Sequence, residues 1–209
     1  MWSSLSTIPL WLLTFRSLSL SLYLSLSLSF LYLPLFLSPS LPIASFSTQD
    51  VRLFREFFNI RSCSYADMSP VILPAGYTKK YLDGHISEDS QIETVQSSFD
   101  RVSAAHDFTV VEGTGHAGVG SIVNLDNARV ASLLGLDMVL VANGGLGSTY
   151  DQLSLNMLKC KEHDVHIKAV IINKVIPDKV DMVREYMGKA LARDGIPLAG
   201  AHNRERGGP

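Results

Sequence analysis

The chain has 209 residues and a formal net charge of −2, but its charges are unevenly distributed. Residues 1–49 contain one charged side chain, Arg16, and 28 of these 49 residues are Ser or Leu. The other 160 residues carry 17 basic and 20 acidic side chains, a formal charge of −3. Because this balance leaves no basic excess for a phosphate backbone, it argues against nucleic acid as a partner.

The two cysteines, Cys63 and Cys160, lie far apart in the sequence. They provide neither a disulfide framework nor the ligand spacing of a zinc site, so we expect reduced thiols. Reduced thiols are typical of a cytosol-like compartment. The folded part of the chain is therefore predicted to be cytoplasmic.

The Ser/Leu-rich segment 1–49 has three open interpretations. Residues 17–37 form 21 positions without a charge, which is long enough for a membrane-spanning helix. However, Leu and Ser alternate with period two, which suits a strand better than a helix, and Pro34 interrupts the segment. The segment is also rich in Ser and free of acids, as transit peptides are, and its alternation is what a translated CT repeat encodes in a faulty gene model. An organellar or membrane location, and a membrane as partner, follow only if the segment is genuine.

The remaining sequence predicts one domain of class α/β, a three-layer parallel sheet covered by helices. We expect a linker at 50–68, the domain at 69–200 and a polar tail at 201–209, with 1–49 as a non-globular N-terminal segment. Strands are predicted at 70–76, 108–111, 138–143, 166–175 and 196–200.

Helices are predicted between these strands from apolar residues at helical spacing and from capping residues. Ser87 is expected to cap the first helix, and either Asn124 or Asp126 the second. Thr149 and Gln152 form a capping-box pair for the third. The fourth is expected to begin near residue 178.

The segment FTVVEGTGHAGVGS (108–121) carries the strongest functional signal. An apolar strand ends on Glu112 and opens into a loop with glycines at 113, 115, 118 and 120. This glycine pattern resembles a dinucleotide fingerprint, but the helix starts late and the next strand ends without a ribose-binding acid. It is not a P-loop, because Val119 or Ser121 stands where the lysine is required. The remaining interpretations are a magnesium and phosphate groove, or a turn that only connects a strand to a helix.

Four motifs in this order, VVEGTGHAGVGS, NARVASLLG, VANGGLG and IINKVIPDK, resemble the dethiobiotin-synthetase-like P-loop NTPase domain. The version at the N-terminus of long phosphotransacetylases, and its stand-alone relatives, are especially similar. The resemblance covers roughly residues 69–200. It implies a nucleotide-binding fold with ATP and Mg as cofactors, and self-association is a further expectation for relatives of this group.

The resemblance also implies roles for individual residues. Glu112 matches an acidic residue that contributes to the magnesium site. Gly113, Thr114 and Gly115 match the loop beside the substrate and the phosphates. Asn173 matches the asparagine that reads the adenine base, since its side-chain amide both donates and accepts; the alternative is a turn residue at a strand end.

His116 is a candidate general acid in the same loop. A loop histidine without a visible partner is otherwise an exposed group or one that bonds the backbone. The sequence leaves both interpretations open.

The chain departs from the family at its front. No G-x-x-x-x-G-K-[ST] motif occurs in the 209 residues. In this family the strand that precedes the motif is expected beside the strand that carries Glu112. Its loss would leave backbone groups of the Glu112 strand without hydrogen-bond partners. Two function classes follow. The first is a degenerate or truncated ATP-binding module that is regulatory or inactive. The second is an ATP- and Mg-dependent enzyme that activates a carboxylate and whose P-loop is lost from the gene model.

Overall fold

A computed structural model of the chain describes residues 11–15, 28–33 and 49–204. The strands are β1 (Trp11–Phe15), β2 (Leu28–Leu33), β3 (Phe108–Gly113), β4 (Asp137–Asn143), β5 (Ile167–Val175) and β6 (Leu198–Asn203). The helices are α1 (Gln49–Phe57), α2 (Tyr65–Met68), α3 (Tyr77–Leu82), α4 (Glu88–Ala104), α5 (Asn127–Leu133), α6 (Gly147–Glu162) and α7 (Val180–Ala192). Single 3-10 turns occupy Ser121–Val123 and Pro177–Lys179.

The strands form one six-stranded sheet in the order β2-β3-β1-β4-β5-β6. β2 pairs parallel to β3, and β4, β5 and β6 pair parallel to one another. β1 is antiparallel to both of its neighbours, so five strands share one direction and β1 opposes them. The α/β class predicted from the sequence is confirmed.

The position beside β3, where the sequence predicts a missing P-loop strand, is taken by β1. Thr14 of β1 pairs with Val111 of β3 on one side and with Met138 of β4 on the other. The backbone of β3 and β4 is therefore paired across β1, although the sheet has no parallel strand at this position.

The N-terminal segment contributes two strands, β1 and β2, although the sequence predicts a non-globular segment. The rest of 1–48 lies outside the described residues. Leu28–Leu33, inside the candidate membrane span 17–37, pairs with all of β3 as a strand. Across the parts of the chain that the structure describes, no helix is long and apolar enough to cross a membrane. The transmembrane prediction is thus not supported.

Two helix caps predicted from the sequence are confirmed. The Ser87 side chain accepts from the Ser90 amide at 3.2 Å and begins α4. The Asp126 side chain accepts from the Arg129 amide at 3.0 Å and begins α5, so of the two candidate caps Asp126 is the one used.

The predicted strand at 70–76 is wrong, because this segment is irregular. Pro70 and Pro74 lack the amide hydrogen that a sheet ladder needs. Val71 is nevertheless buried, packed in a cluster with Val95 and Leu125. The apolar side chains of the segment therefore cover α4 and the loop before α5.

The Thr149–Gln152 capping box is also wrong. α6 begins at Gly147, two residues before Thr149, and its N-cap Leu146 makes no side-chain cap. The Thr149 hydroxyl instead donates to the Asn143 carbonyl at 3.0 Å. This bond closes the loop that joins β4 to α6.

The main core lies between the sheet and helices α5 to α7. Met138, Leu140 and Ala142 of β4 face it, together with Val170 and Ile172 of β5. The helices supply Leu153 and Cys160 from α6 and Val183, Met187 and Leu191 from α7. A second cluster joins Val111 of β3 to α1, α2 and α4 through Val51, Met68, Phe99 and Val102.

A first prediction tests the position of β1. Leu13→Pro removes a backbone donor from a strand flanked on both sides, so we expect it to lower the free energy of unfolding by about 3 kcal/mol. Leu13→Val keeps the donor and suits a strand, so we expect a much smaller loss. Urea unfolding followed by circular dichroism measures both. Equal losses in the two variants would show that residue 13 is not in a paired central strand.

A second prediction concerns pH. Burial first, and then the Asp126 charge, raises the pKa of Cys160 from 9.0 to about 12. Between these values the unfolded chain loses a proton that the folded chain keeps. The free energy of unfolding therefore falls with rising pH, by about 1.4 kcal/mol per unit for this group.

Urea unfolding of the unaltered chain and of Cys160→Ala between pH 7 and 10.5 tests this. Below pH 9 the difference in free energy of unfolding between the two chains is expected to be constant. Above pH 9 the free energy of unfolding should fall less steeply with pH in Cys160→Ala than in the unaltered chain. Parallel curves over the whole range would contradict the prediction.

Candidate functional site

Glu112 lies near the end of β3 and is only 7% exposed. Val111 of β3 and Met138 of β4 both pair with Thr14, so they lie at the same height along the sheet. One residue farther along each strand, Glu112 lies at the height of Val139. Asn143, at the end of β4, is four residues farther, roughly 13 Å along the strand. The Glu112 carboxylate is therefore recessed below the end of β4, on the face of the sheet opposite to Val111.

The loop after β3 is held by Asn127, the first residue of α5, which is 3% exposed. Its side-chain nitrogen donates to the carbonyls of Thr114 and His116, both at 2.9 Å. Its oxygen is buried and has no hydrogen-bond partner among the described residues. A Cβ at Gly113 would lie 2.5 Å from that oxygen, so glycine is required here by close packing.

The same loop uses four of its backbone amides internally. The Ala117 amide donates to the buried Asn156 side chain of α6 at 2.7 Å. The Gly118 amide donates to His116 Nδ1 at 3.2 Å, and the amides of Val119 and Ser121 donate to the carbonyls of His116 and Gly118. The loop is thus shaped by bonds to itself, to α5 and to α6.

An ionic cluster supports the loop from below. The Asp126 side chain is 3% exposed, and Lys159 of α6 lies 3.1 Å from it and 3.0 Å from Glu162. Burial alone would lower the pKa of Lys159, but the two carboxylates raise it above its ordinary value. His163 Nε2 is 3.5 Å from the same Asp126 oxygen. A Cβ at Gly118 would lie 3.8 Å from Lys159 Cγ, so the stem of this cation packs against the loop and helps to hold it.

Asn173 lies opposite Asn143, as Cα partners near the ends of β5 and β4. Its side-chain oxygen accepts from the Lys174 amide at 2.8 Å. Lys174 has a φ of 57°, and a Cβ at Gly144 would lie 2.4 Å from the Val175 Cα. The end of β5 is therefore a tight bulge against the loop that follows β4.

Comparison with known protein families adds to this geometry. A family model described as an AAA domain matches residues 38–201. The chain belongs to this family. It is a P-loop NTPase family related to dethiobiotin synthetase, and such families in general bind nucleotide and magnesium. No curated protein compared with the chain matches it.

The sheet carries the predicted site residues in two separate groups. Glu112, Gly113, Thr114, Gly115 and His116 follow one another at the end of β3. Asn173 lies on β5, separated from β3 by β1 and β4, which is roughly 14 Å by strand spacing alone. His116 is exposed, and its Nδ1 accepts from the Gly118 amide. Among the described residues no cluster of three His, Cys, Asp or Glu could hold a metal.

Sequence reasoning missed the polar residues that hold the glycine loop: Asn127, Asn156 and the Asp126–Lys159 pair. Asn156 lies between Leu153 and Cys160 on the buried stripe of α6. A polar residue on an apolar helical stripe is the signal that points to such a role. Asn127 follows a cap residue, where a polar side chain is common and carries no such signal.

A cavity of about 730 Å³ lies at the opposite, amino edge of the sheet. It is lined by Tyr150, Met157 and Lys161 of α6, by Ile167 at the start of β5, and by Asp194 and Ile196. The Tyr150 hydroxyl donates to Asp194 at 2.6 Å, and this bond first, with burial, raises the pKa of Tyr150. The cavity is therefore separate from the glycine loop.

A third prediction tests the contact between Gly113 and Asn127. Gly113→Ala forces a Cβ against a buried amide, so we expect a loss of about 1–3 kcal/mol in the free energy of unfolding. In an Asn127→Ala background the obstructing group is absent, and the additional cost of Gly113→Ala should become much smaller.

Gly188→Ala is the matched control, since this helical glycine has 3.9 Å to its nearest neighbour. We expect it to stabilise the chain by about 0.5–1 kcal/mol. Chemical unfolding of the unaltered chain, the two single variants, the double variant and Gly188→Ala measures these differences. Strict additivity of Gly113→Ala and Asn127→Ala would show that the two groups do not touch.

Proposed function

We propose that this chain is a degenerate P-loop NTPase module that has a regulatory or interaction role and does not hydrolyse ATP. The observation that carries the proposal is the direction of β1. In a P-loop protein the strand at this position ends at the carboxyl edge and delivers the phosphate loop there. β1 runs the other way, so the chain leaves it after Phe15 at the amino edge.

The sequence that contains β1 and β2 supports the same proposal. Residues 1–75 contain neither a glycine nor a lysine. A phosphate loop needs glycines so that its backbone amides can surround the β- and γ-phosphates, and it needs a lysine to offset their charge. Without these groups, most of the electrostatic stabilisation of phosphoryl transfer is absent.

The glycine loop at 113–121 does not fit as a substitute. Four of its amides already donate within the protein, and Lys159 is engaged by Asp126 and Glu162. The residues present therefore do not match the donor set that a magnesium triphosphate requires. A role in which this module binds a protein, including a second copy of itself, needs none of these donors.

A second candidate function is an ATP- and Mg-dependent enzyme that activates a carboxylate. It is favoured by Glu112, a carboxylate at the end of a parallel strand, and by the loop Gly113 to Gly115 that follows it. In that case Glu112 would serve the magnesium, and Asn173 would read the adenine. The P-loop would come from sequence other than residues 1–75.

A titration of the full chain with Mg-ATP, followed by calorimetry, separates the two candidates. For the degenerate module we expect no saturable heat up to about 1 mM nucleotide, an affinity weaker than roughly −4 kcal/mol. Size-exclusion chromatography with light scattering on the same sample tests self-association.

Glu112→Gln is measured in parallel, with Glu185→Gln, at an exposed carboxylate on α7, as the control for loss of one negative charge. Micromolar binding that Glu112→Gln abolishes and Glu185→Gln preserves would refute the degenerate module and support the enzyme. Binding by the unaltered chain that both variants retain would place the nucleotide away from the predicted magnesium site.

A further inference from the structure

A serine–histidine pair lies outside the glycine-loop region, where the loop before α2 meets the end of α4. Ser62 Oγ is 2.6 Å from His106 Nε2. Ser62 is exposed and His106 is half-buried. The two residues are 44 positions apart in sequence, so the tertiary fold creates this contact.

The hydrogen bonds of His106 determine which ring nitrogen carries the proton. Nδ1 is 2.7 Å from the carbonyl oxygen of Val102, which can only accept. The proton of the neutral ring therefore lies on Nδ1, and Nε2 carries the lone pair. It follows that the Ser62 hydroxyl donates to Nε2. A serine hydroxyl bonded to an oriented, unprotonated imidazole nitrogen is the arrangement of an activated nucleophile.

Cys63 adjoins the pair but does not compete with it. Its Sγ is 3.9 Å from Ser62 Oγ and 4.0 Å from His106 Nδ1, and it is 5% exposed. Burial raises the pKa of the Cys63 thiol, so the reactive thiolate form is disfavoured. Of the two neighbouring nucleophiles, only the serine is both accessible and in contact with a base.

We propose that Ser62 is a nucleophilic serine that accepts acyl groups from small activated esters, with His106 as its general base. In this step the Ser62 Oγ–acyl carbon bond forms and the bond from that carbon to the leaving oxygen breaks. The Ser62 proton moves to His106 Nε2, and the leaving group departs as an anion. The imidazolium then returns its proton to solvent, which restores the base.

The substrate class follows from what the pair provides. Ser62 and His106 supply a nucleophile and a base, which is sufficient for esters whose leaving anion is weakly basic and needs no protonation. Because Ser62 is exposed, a small ester reaches it without entering a cavity. This assignment is independent of nucleotide binding, since no residue of the glycine loop takes part.

The test uses the full chain and p-nitrophenyl acetate, with peptide mass spectrometry to locate the acetyl group over time. Ser90 is an internal reference, because it is an exposed serine whose hydroxyl donates to the Ser87 carbonyl at 2.9 Å. We expect Ser62 to be acetylated about 100-fold faster than Ser90, the lower bound for general-base assistance.

The variants separate activation from exposure. Ser62→Ala is expected to abolish the fast release of p-nitrophenolate, and Ser90→Ala to leave it unchanged. His106→Gln should slow Ser62 acetylation by about 100-fold, whereas His85→Gln, at an exposed histidine on a different loop, should not. Urea unfolding checks that each variant is folded.

Three results would overturn the proposal. These are acetylation of Ser62 no faster than that of Ser90 in the unaltered chain, the acetyl group on Cys63 instead of Ser62, or equal rates in His106→Gln and the unaltered chain. The first two need no variant, so they decide the question even if a substitution prevents folding.

Discussion

The pairing of β1 with both β3 and β4 is the interaction on which the sheet depends. β3 and β4 are not neighbours, so every hydrogen bond between the two halves of the sheet passes through this five-residue strand. On one side it joins the pair β2–β3 and on the other the three strands β4, β5 and β6. Without it the facing edges of β3 and β4 would carry unpaired amides and carbonyls, which is costly in a buried sheet. The position of Glu112 relative to Asn143 is set by this register alone.

The sequence predicts the C-terminal two-thirds of the fold well because local signals are strong there. Ser87 and Asp126 are cap residues directly ahead of helical periodicity, and both cap as expected. β4 contains the continuous apolar run MVLVA and β5 the run AVII, as buried parallel strands do. By contrast, residues 70–76 have apolar content but two prolines. Val71 is buried against α4, so the apolar side chains of this segment leave water without the segment joining the sheet as a strand.

The candidate site is less predictable because its geometry comes from contacts that are distant in sequence. Asn156 accepts a hydrogen bond from the Ala117 amide, 39 residues away in sequence. Lys159 forms an ion pair with Asp126, 33 residues away. A glycine pattern indicates that a loop bends, but not which side chains hold it or from which helix. Gly113 illustrates the difference. Glycine is required at this position because Asn127 packs against it, whereas the sequence motif indicates a loop beside a bound ligand.

Strand direction separates what the fold needs from what phosphate chemistry needs. A gap between two parallel strands is filled equally by a parallel or an antiparallel strand, since either provides a donor and an acceptor to both neighbours. β1 has the sequence WLLTF, whose aromatic and β-branched residues favour a strand. A phosphate loop is more demanding: its strand has to end at the carboxyl edge, with glycines and a lysine immediately after it. β1 fills the gap but does not end at the carboxyl edge, so the sheet of a P-loop protein is completed here by a strand that cannot present such a loop at that edge.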